Sequence, residues 1–516
     1  VAQLGIVAGG ADPDAQSLRW GALAAQAVGN RMDYKLPKIT RLDAGAVQSA
    51  GQGTDLIAVG TPEQLGALAP PQLTGLKGDA SWLSIGPSPA DPSHFLILVS
   101  GRTPAAIDGA LRALAANAFP LSDTGSLLLQ PAEVPQGAVL AKRRPLDVDA
   151  KYVFRDLGFA EMSVLGQERG EARLSFSLPA DVHFRAKADV VFALDFAYGA
   201  DLDDKSVVNV VVNGAFQRAV RLTNPDGEVT PGYQVAVPAS AFRPGRNEAV
   251  FEIELSSPSE GECAARSTRH LAFVLKDTST MTLPAADRFV ELPNLALLSE
   301  AGFPFAGQDE APFALRAADA GPATAAAVWT LAARLGQIHG AAFFDTDFGL
   351  GLDLPDAHTL VVGARPDLGG FLPAQVNMPD GQPADGFSRD FSLVDLGDNG
   401  LIIEGESPGH PGKLVALVTA ESADQLLASA RTLVEPSHWS QLKGGAVVWR
   451  DHAATIVSRA ASDTFEVGNM SPGDIARMKS GRAPWRWILT IAAALFALAA
   501  ALALIARYMR DRVKDK

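Results

Sequence analysis

Residues Trp487 to Ala506 read WILTIAAALFALAAALALIA, with Thr490 as the only polar side chain. At a rise of 1.5 Å per residue such a helix is about 30 Å long, the thickness of a bilayer's hydrocarbon core. Helices of soluble domains are seldom apolar on every side for that length, so the stretch predicts a transmembrane helix over 485–507. Trp485, Arg486 and Trp487 at one end and Tyr508 at the other are candidate membrane-interface residues, because amphipathic rings favour the headgroup layer. Within the span Ala493, Ala497 and Ala501 recur at i, i+4 and i+8. Lipid offers no hydrophobic drive between helices, so a stripe of small residues is a candidate contact for a partner helix. A short tail, 508–516, follows, and the remainder of the chain is expected to be a body tethered by this anchor.

The net charge of -14 is unevenly spread. From Ser471 onward Lys and Arg exceed Asp and Glu by six, whereas the body before it carries an excess of twenty acids. An acidic body has no attraction for nucleic acid, and a basic flank suits anionic lipid. Five basic residues in the tail (Arg507, Arg510, Arg512, Lys514, Lys516) against Arg477, Lys479, Arg482 and Arg486 on the other flank tilt the expectation to a cytoplasmic tail. The chain opens at Val1 on a strand-like run with no signal peptide, which reads as a processed or truncated product. The single cysteine, Cys263, has no internal partner for a disulfide, and no Cys/His spacing for zinc is present.

Three segments precede the anchor. In 1–140 the apolar runs LGIVA (from Leu4), DLIAVG (from Asp55) and HFLILVS (from His94) alternate with helical patterns, two of them opened by Thr61-Pro62 and Thr103-Pro104. That alternation predicts parallel pairing in a doubly wound, flavodoxin-like α/β domain. In 141–286 helical periodicity gives way to short alternating strands such as VVFALDFAY (190–198) and FEIEL (251–255). Asn213-Gly214 between two such runs is a strong hairpin signal, and the segment is expected to be a jelly-roll β-sandwich. In 287–455 the α/β pattern returns. ALAAQAVG pairs with TLAARLG, DLIAVGTP with TLVVGARP, and HFLILVSGRTPAAIDGALRALA with KLVALVTAESADQLLASARTL, all in the same order. A duplicated α/β domain is therefore predicted on either side of the sandwich. Residues 456–484 are read as a linker and interfacial amphipathic segment, with a helix opening at Ser471-Pro472.

Candidate chemistry is sparse. Gly405-Glu-Ser407-Pro-Gly409 fits the GxSxG nucleophile pattern, but Pro408 lacks the N–H that an oxyanion hole needs and a strand follows in place of a helix. Neither GIVAGG (5–10) nor Gly412-Lys413 completes a phosphate loop. The eight histidines include no i,i+4 pair, and Asp345, Asp347 and Asp353 lack EF-hand glycine spacing, so a solvated acidic loop is favoured over a calcium site. Neither cofactor nor metal is expected. Aromatics of the sandwich, Tyr198, Phe216 and Tyr233 (with Phe196 beside them), are either core or candidate sugar-stacking contacts.

The order α/β domain, sandwich, α/β domain, terminal anchor, with the words SVVNVVVNGAF, VAVPASAFRPGRNEAVFEIEL and FVLKDTSTMTLP, resembles the periplasmic subunit of bacterial cellulose synthase (the BcsB-like family). The family's usual signal peptide and first jelly roll have no counterpart here. The resemblance implies a non-catalytic, single-pass subunit of the bacterial inner membrane, its bulk in the periplasm. It implies binding to the catalytic glycosyltransferase that polymerises UDP-glucose, and guidance of the nascent β-1,4-glucan. The family's label as cyclic di-GMP-binding finds no fingerprint in these residues. A self-standing, membrane-tethered periplasmic polysaccharide-binding protein is the alternative, and a tethered hydrolase lacks a paired acid and nucleophile.

Overall fold

The computed structural model describes residues 2–10, 13–76, 78–116, 125–136, 145–166, 168–256, 271–305, 313–369, 399–450, 456–461, 463–482 and eight positions between 492 and 503. The first sheet contains β1 (Gln3–Ala8), β2 (Lys38–Arg41), β3 (Asp55–Gly60), β4 (Ser81–Pro87), β5 (Phe95–Ser100) and β6 (Ser126–Leu129), in the order β2-β1-β3-β5-β4-β6. Its apolar runs are buried on both faces. Helices α1 (Ala15–Gly29) and α2 (Pro104–Ala115) cover Ile6, Ile57 and Val99. Short helical turns close the other face over Val7, Leu56 and Ala58. Each helix starts where a side chain takes up a free N–H: Asp14 accepts from Ser17 N at 2.7 Å and Thr103 from Ala106 N at 3.2 Å.

Pairing among β2, β1, β3 and β5 is parallel. Strand β4 runs antiparallel to both β5 and β6, which corrects the expectation of a uniformly parallel sheet. The cause is the connection: residues 88–94 alone join β4 to β5. A parallel crossover needs roughly a dozen residues or more, so so short a link permits only a hairpin.

A sandwich follows, built from β7 (Ala150–Val153), β8 (Met162–Leu165), β9 (Arg169–Leu178), β11 (Asp189–Tyr198), β12 (Val207–Val212), β13 (Ala215–Arg221), β14 (Glu228–Pro238), β15 (Gly245–Glu254), β16 (Ala272–Leu275) and β17 (Thr280–Leu283), while β10 (Val182–Phe184) and β18 (Ala286–Leu292) pair with each other outside its two layers. One layer runs β7-β17-β11-β16-β8, with β14 along the other side of β11, and the facing layer runs β13-β12-β15-β9. Alternate residues point inward, and Phe154, Phe192 and Phe251 meet at the centre with ring centroids 5.6–6.2 Å apart. Asn213 and Gly214 join β12 to β13 with φ of 51° and 79°, the backbone of a two-residue type I′ hairpin.

The second α/β unit comprises α3 (Leu295–Ala301), β19 (Ala314–Ala317), α4 (Pro322–His339), β20 (Asp347–Leu350), β21 (Thr359–Ala364), β22 (Gly400–Glu406), β23 (Leu414–Ala420), α5 (Ala423–Leu433), β24 (Ala446–Trp449) and β25 (Val457–Arg459). Its order, β20-β19-β21-β23-β22-β24-β25, repeats that of the first sheet strand for strand and adds β25 at the edge. The antiparallel hairpin recurs as β22–β23. The two units share one hydrophobic core across α1 and α4. There Trp329 Nε1 donates to Leu18 O at 2.9 Å, and a Cβ on Gly29 would lie 2.1 Å from Ala333 O.

The expectation of a linker over 456–484 is corrected. Val457–Arg459 is the added edge strand, and β26 (Phe465–Gly468) pairs with β18, which in turn pairs with β10. Alternation in FEVG puts Phe465 and Val467 on one face of β26, where they pack against the core that the α/β units share. Helix α6 (Pro472–Arg482) then begins at Ser471, whose hydroxyl accepts from Asp474 N at 3.2 Å. Among the described residues no helix is long and apolar enough to cross a membrane. Most of Trp487–Ala506 lies outside the described residues, as do Trp485, Arg486, Trp487, Ala497, Tyr508 and Cys263. Ala493 and Ala501 are helical and exposed, as are the neighbouring Leu495, Phe496 and Leu502.

Candidate functional site

Two places offer a surface for a ligand. The first is the sandwich edge where β13 and β14, the outer strands of the two layers, lie side by side, linked by Arg218 Nε donating to Ala236 O at 3.0 Å. Phe216 on β13 is 62% exposed and Tyr233 on β14 is 42% exposed. Tyr233 stands edge-on to Phe196 at 5.9 Å, so the core fixes its ring while one side stays open to solvent. A ring held on one side, as Tyr233 is, presents apolar area at little entropic cost, and with the exposed Phe216 on the neighbouring strand it suits the apolar face of a sugar. Gln217 and Gln234 beside them supply amide donors and acceptors.

Tyr198 is corrected from this set. It is 7% exposed, stacks on Phe196, donates from its hydroxyl to Glu228 at 3.1 Å and accepts from Asn224 N at 3.0 Å. Burial raises its phenol above the ordinary value. Its even spacing from Val190, Phe192, Leu194 and Phe196 puts it on the inward face of β11.

The second place is a cleft of about 650 Å³ where the sandwich, the β10–β18–β26 sheet and the second α/β unit meet. Its wall includes Phe303, Pro304, His339, His358 and Lys413 from the α/β unit, with Arg246 from β15 and Arg288 from β18 opposite. His358 Nδ1 accepts from Leu414 N at 2.9 Å, which leaves the ring's proton on Nε2. Burial, helped by the Lys413 ammonium, pushes its pKa down to about 4, so the ring is neutral at neutral pH. Sequence reasoning missed this cleft because its residues come from segments far apart in the chain, none of which carries a local motif.

Other candidates resolve into structural roles. Ser407 lies buried in the β22–β23 hairpin, with its N–H on Lys413 O at 2.7 Å, so the strand-to-helix elbow of a nucleophile is absent. In the acidic loop, the buried Arg316 guanidinium donates to Asp347 Oδ2 at 2.7 Å and reaches Asp353 Oδ2 at 3.5 Å. A cation already stands between two of the three carboxylates. Among the described residues no group of three or more His, Cys, Asp or Glu gathers to hold a metal.

A carbohydrate-binding-type sandwich set between paired α/β units defines the class. Residues 151–280 match the family model described as "Cellulose synthase BcsB, second CBM domain", and residues 2–127 the one described as "Cellulose synthase BcsB, first FD domain". The chain belongs to the BcsB-like family. It is 24% identical over 318 residues to a "Cyclic di-GMP-binding protein" of Xanthomonas axonopodis pv. citri (strain 306), covering 57% of this chain and 39% of that one. It is 24% identical over 321 residues to "Cellulose synthase 1" of Komagataeibacter xylinus, covering 57% of this chain and 20% of the other. A "Cellulose synthase 1" of Novacetimonas hansenii is 25% identical over 247 residues, 42% of this chain and 15% of that one. The chain thus spans well under half the length of these relatives.

Proposed function

We propose that the chain is a non-catalytic accessory subunit of a bacterial cellulose synthase. Its body lies in the periplasm, Trp487–Ala506 anchors it in the inner membrane, and Ala493, Ala497 and Ala501 pack on the catalytic glycosyltransferase. The β13–β14 edge of the sandwich contacts the nascent β-1,4-glucan made from UDP-glucose. The observation that carries this reading is the match of a cellulose synthase CBM domain to the sandwich that exposes Phe216 and Tyr233 on one edge. The relatives named as cellulose synthases favour a synthase subunit over a self-standing polysaccharide-binding protein.

The test uses the purified full chain in detergent. Phe216→Ala with Tyr233→Ala should weaken binding to cello-oligosaccharides by about 5- to 150-fold, the loss expected from two stacking contacts of about 0.5–1.5 kcal/mol each. Tyr198→Phe should leave binding intact. Unchanged binding in the double variant would remove the edge from the glucan path. Ala497→Leu should lower the yield of co-purified glycosyltransferase, and an unchanged yield would overturn the alanine contact.

A further inference from the structure

We propose that the interdomain cleft is a second saccharide site, one that takes a short, neutral β-linked gluco-oligosaccharide between the sandwich and the second α/β unit. The choice of glucose rests on the reading above, but the class of ligand follows from the cleft's own lining. Charges along it balance. Arg246, Arg288 and Lys413 face Asp147, Asp181 and Glu300, and one pair of these, Arg288 and Asp181, is already engaged at 2.5 Å. A strongly charged ligand finds no net complement in such a lining, whereas hydroxyl groups need donors and acceptors interleaved. Lys413 and the neutral His358 Nε2–H supply donors, and the exposed Glu300 and Asp147 carboxylates supply acceptors. The partly exposed Leu146, Ile338 and Val467 give the apolar surface that a pyranose ring covers, and the buried Phe303, tilted against His358 at 6.2 Å, backs the imidazole.

The cleft is also preformed. Gly245 lies with φ of 74° where a Cβ would be 2.8 Å from Glu300 O, so the start of β15 sits directly on the end of α3. Gly468 lies as close to Arg288, its Cβ position 2.1 Å from Arg288 O. Leu146 N donates to Ser177 O at 2.8 Å, Phe289 N to Asp181 O at 2.8 Å and Asn469 N to Arg288 O at 2.9 Å. These backbone ties fix the sandwich rim and the small sheet, the close approach of Gly245 to Glu300 sets the α/β unit against them, and a fixed site binds without an ordering cost. At about 650 Å³ the volume falls inside the range of small-molecule sites and suits a few sugar rings.

Calorimetric titration of the full chain in detergent with cellotetraose should show two sites. Lys413→Met with Glu300→Gln should weaken one at least tenfold and leave the other, while Phe216→Ala with Tyr233→Ala does the reverse. Loss of both sites in the edge variant alone, with the cleft variant unchanged, overturns the cleft and keeps the edge reading. Loss only in the cleft variant keeps the cleft and overturns the edge reading. No binding in any form overturns both. A trigalacturonate that binds the cleft more tightly than cellotetraose overturns the neutral class. Hydrogen exchange of the unaltered chain guards against misfolded variants: cellotetraose should protect amides around His358 and Lys413, and absence of protection there overturns the proposal.

Discussion

The two α/β units share a strand order, an antiparallel hairpin and a helix-capping pattern, yet they treat one equivalent position in opposite ways. Ser100 on β5 faces Trp82, and Thr419 on β23 faces Leu401. Three residues further along the inner hairpin strand the first unit has Ile85, 55% exposed, and the second has Glu404, 6% exposed. In the second unit the entry to α3 lies over this spot. Asn294 N donates to Glu404 Oε2 at 2.8 Å, and Leu295 N to Gly444 O at 2.8 Å. An apolar residue stands in water and an acid stands in the core, so the copies were not tuned by burial alone. The second copy spends a buried carboxyl on fixing the chain that arrives from the sandwich, and with it the wall of the interdomain cleft.

The largest expected effect tests that contrast. Desolvation raises the Glu404 pKa from 4.5 to about 8, and only the Asn294 N–H opposes it. A folded value above the unfolded one means that stability is fully present below about pH 4.5 and is lost as pH rises through about 8. Denaturant unfolding should show the wild-type chain losing about 5 kcal/mol across that window, and Glu404→Gln should flatten the slope. Ile85→Glu, placed in water, should add no slope of its own. A steep slope that survives in Glu404→Gln would assign the pH dependence elsewhere.

The seam between the copies comes next. Gly29→Val drives a side chain into Ala333 O, and relief requires α1 and α4 to separate. Overpacking of this kind costs about 3 kcal/mol, and the two units should then unfold in separate calorimetric transitions. Gly86→Val, where a Cβ meets nothing within 4 Å, is the control in the same unit and should change little. Retained single-transition unfolding in Gly29→Val would show that the shared core does not couple the copies.

A smaller effect separates the units at acid pH. His358 belongs to the second unit alone, and its pKa of about 4 lies below its ordinary 6.5. Its contribution is therefore present above about pH 6.5 and is lost as pH falls through about 4. His358→Asn, which keeps an acceptor for Leu414 N, should make the chain about 3 kcal/mol less sensitive to acid over that window. Equal acid sensitivity in wild type and variant would sink the assignment.

Much of this architecture was legible. Strands β1, β3, β5, β21 and β23 are apolar runs bounded by glycines or caps, and Asn213-Gly214 announced its hairpin because only residues tolerant of positive φ fit a type I′ turn. Strand β4 was not legible. SWLSIGP mixes polar, glycine and proline residues, and its place beside β5 depends on the length of a loop. Its counterpart β22 was obscured by the GxSxG pattern at its end. Tyr198 was readable in principle: the two-residue period that buries Phe192 and Phe196 carries it inward too, while Asp195 keeps the opposite phase. The cleft had no local signal, because His358, Lys413, Arg246 and Arg288 converge only through the packing of three layers.

The smallest effect sharpens the likeness of the copies. Helices α2 and α5 follow the equivalent strands β5 and β23, and each begins at a hydroxyl cap. Thr103 Oγ1 accepts from Ala106 N at 3.2 Å, and Ser422 Oγ from Gln425 N at 3.3 Å. Both helices cover the shared core, so fraying at either start exposes apolar surface of the same kind. Thr103→Ala and Ser422→Ala should each cost about 1 kcal/mol, and they lie in separate units without shared partners, so the double variant should cost the sum. Proline at the first helical position, Pro104, already fixes φ in α2, whereas α5 starts on Ala423 without that help. The Ser422 variant should therefore fray more, seen as faster amide exchange in the first turn of α5 than of α2. Equal exchange in the two variants would mean that the proline adds nothing to the cap, and the two helix starts would then be interchangeable.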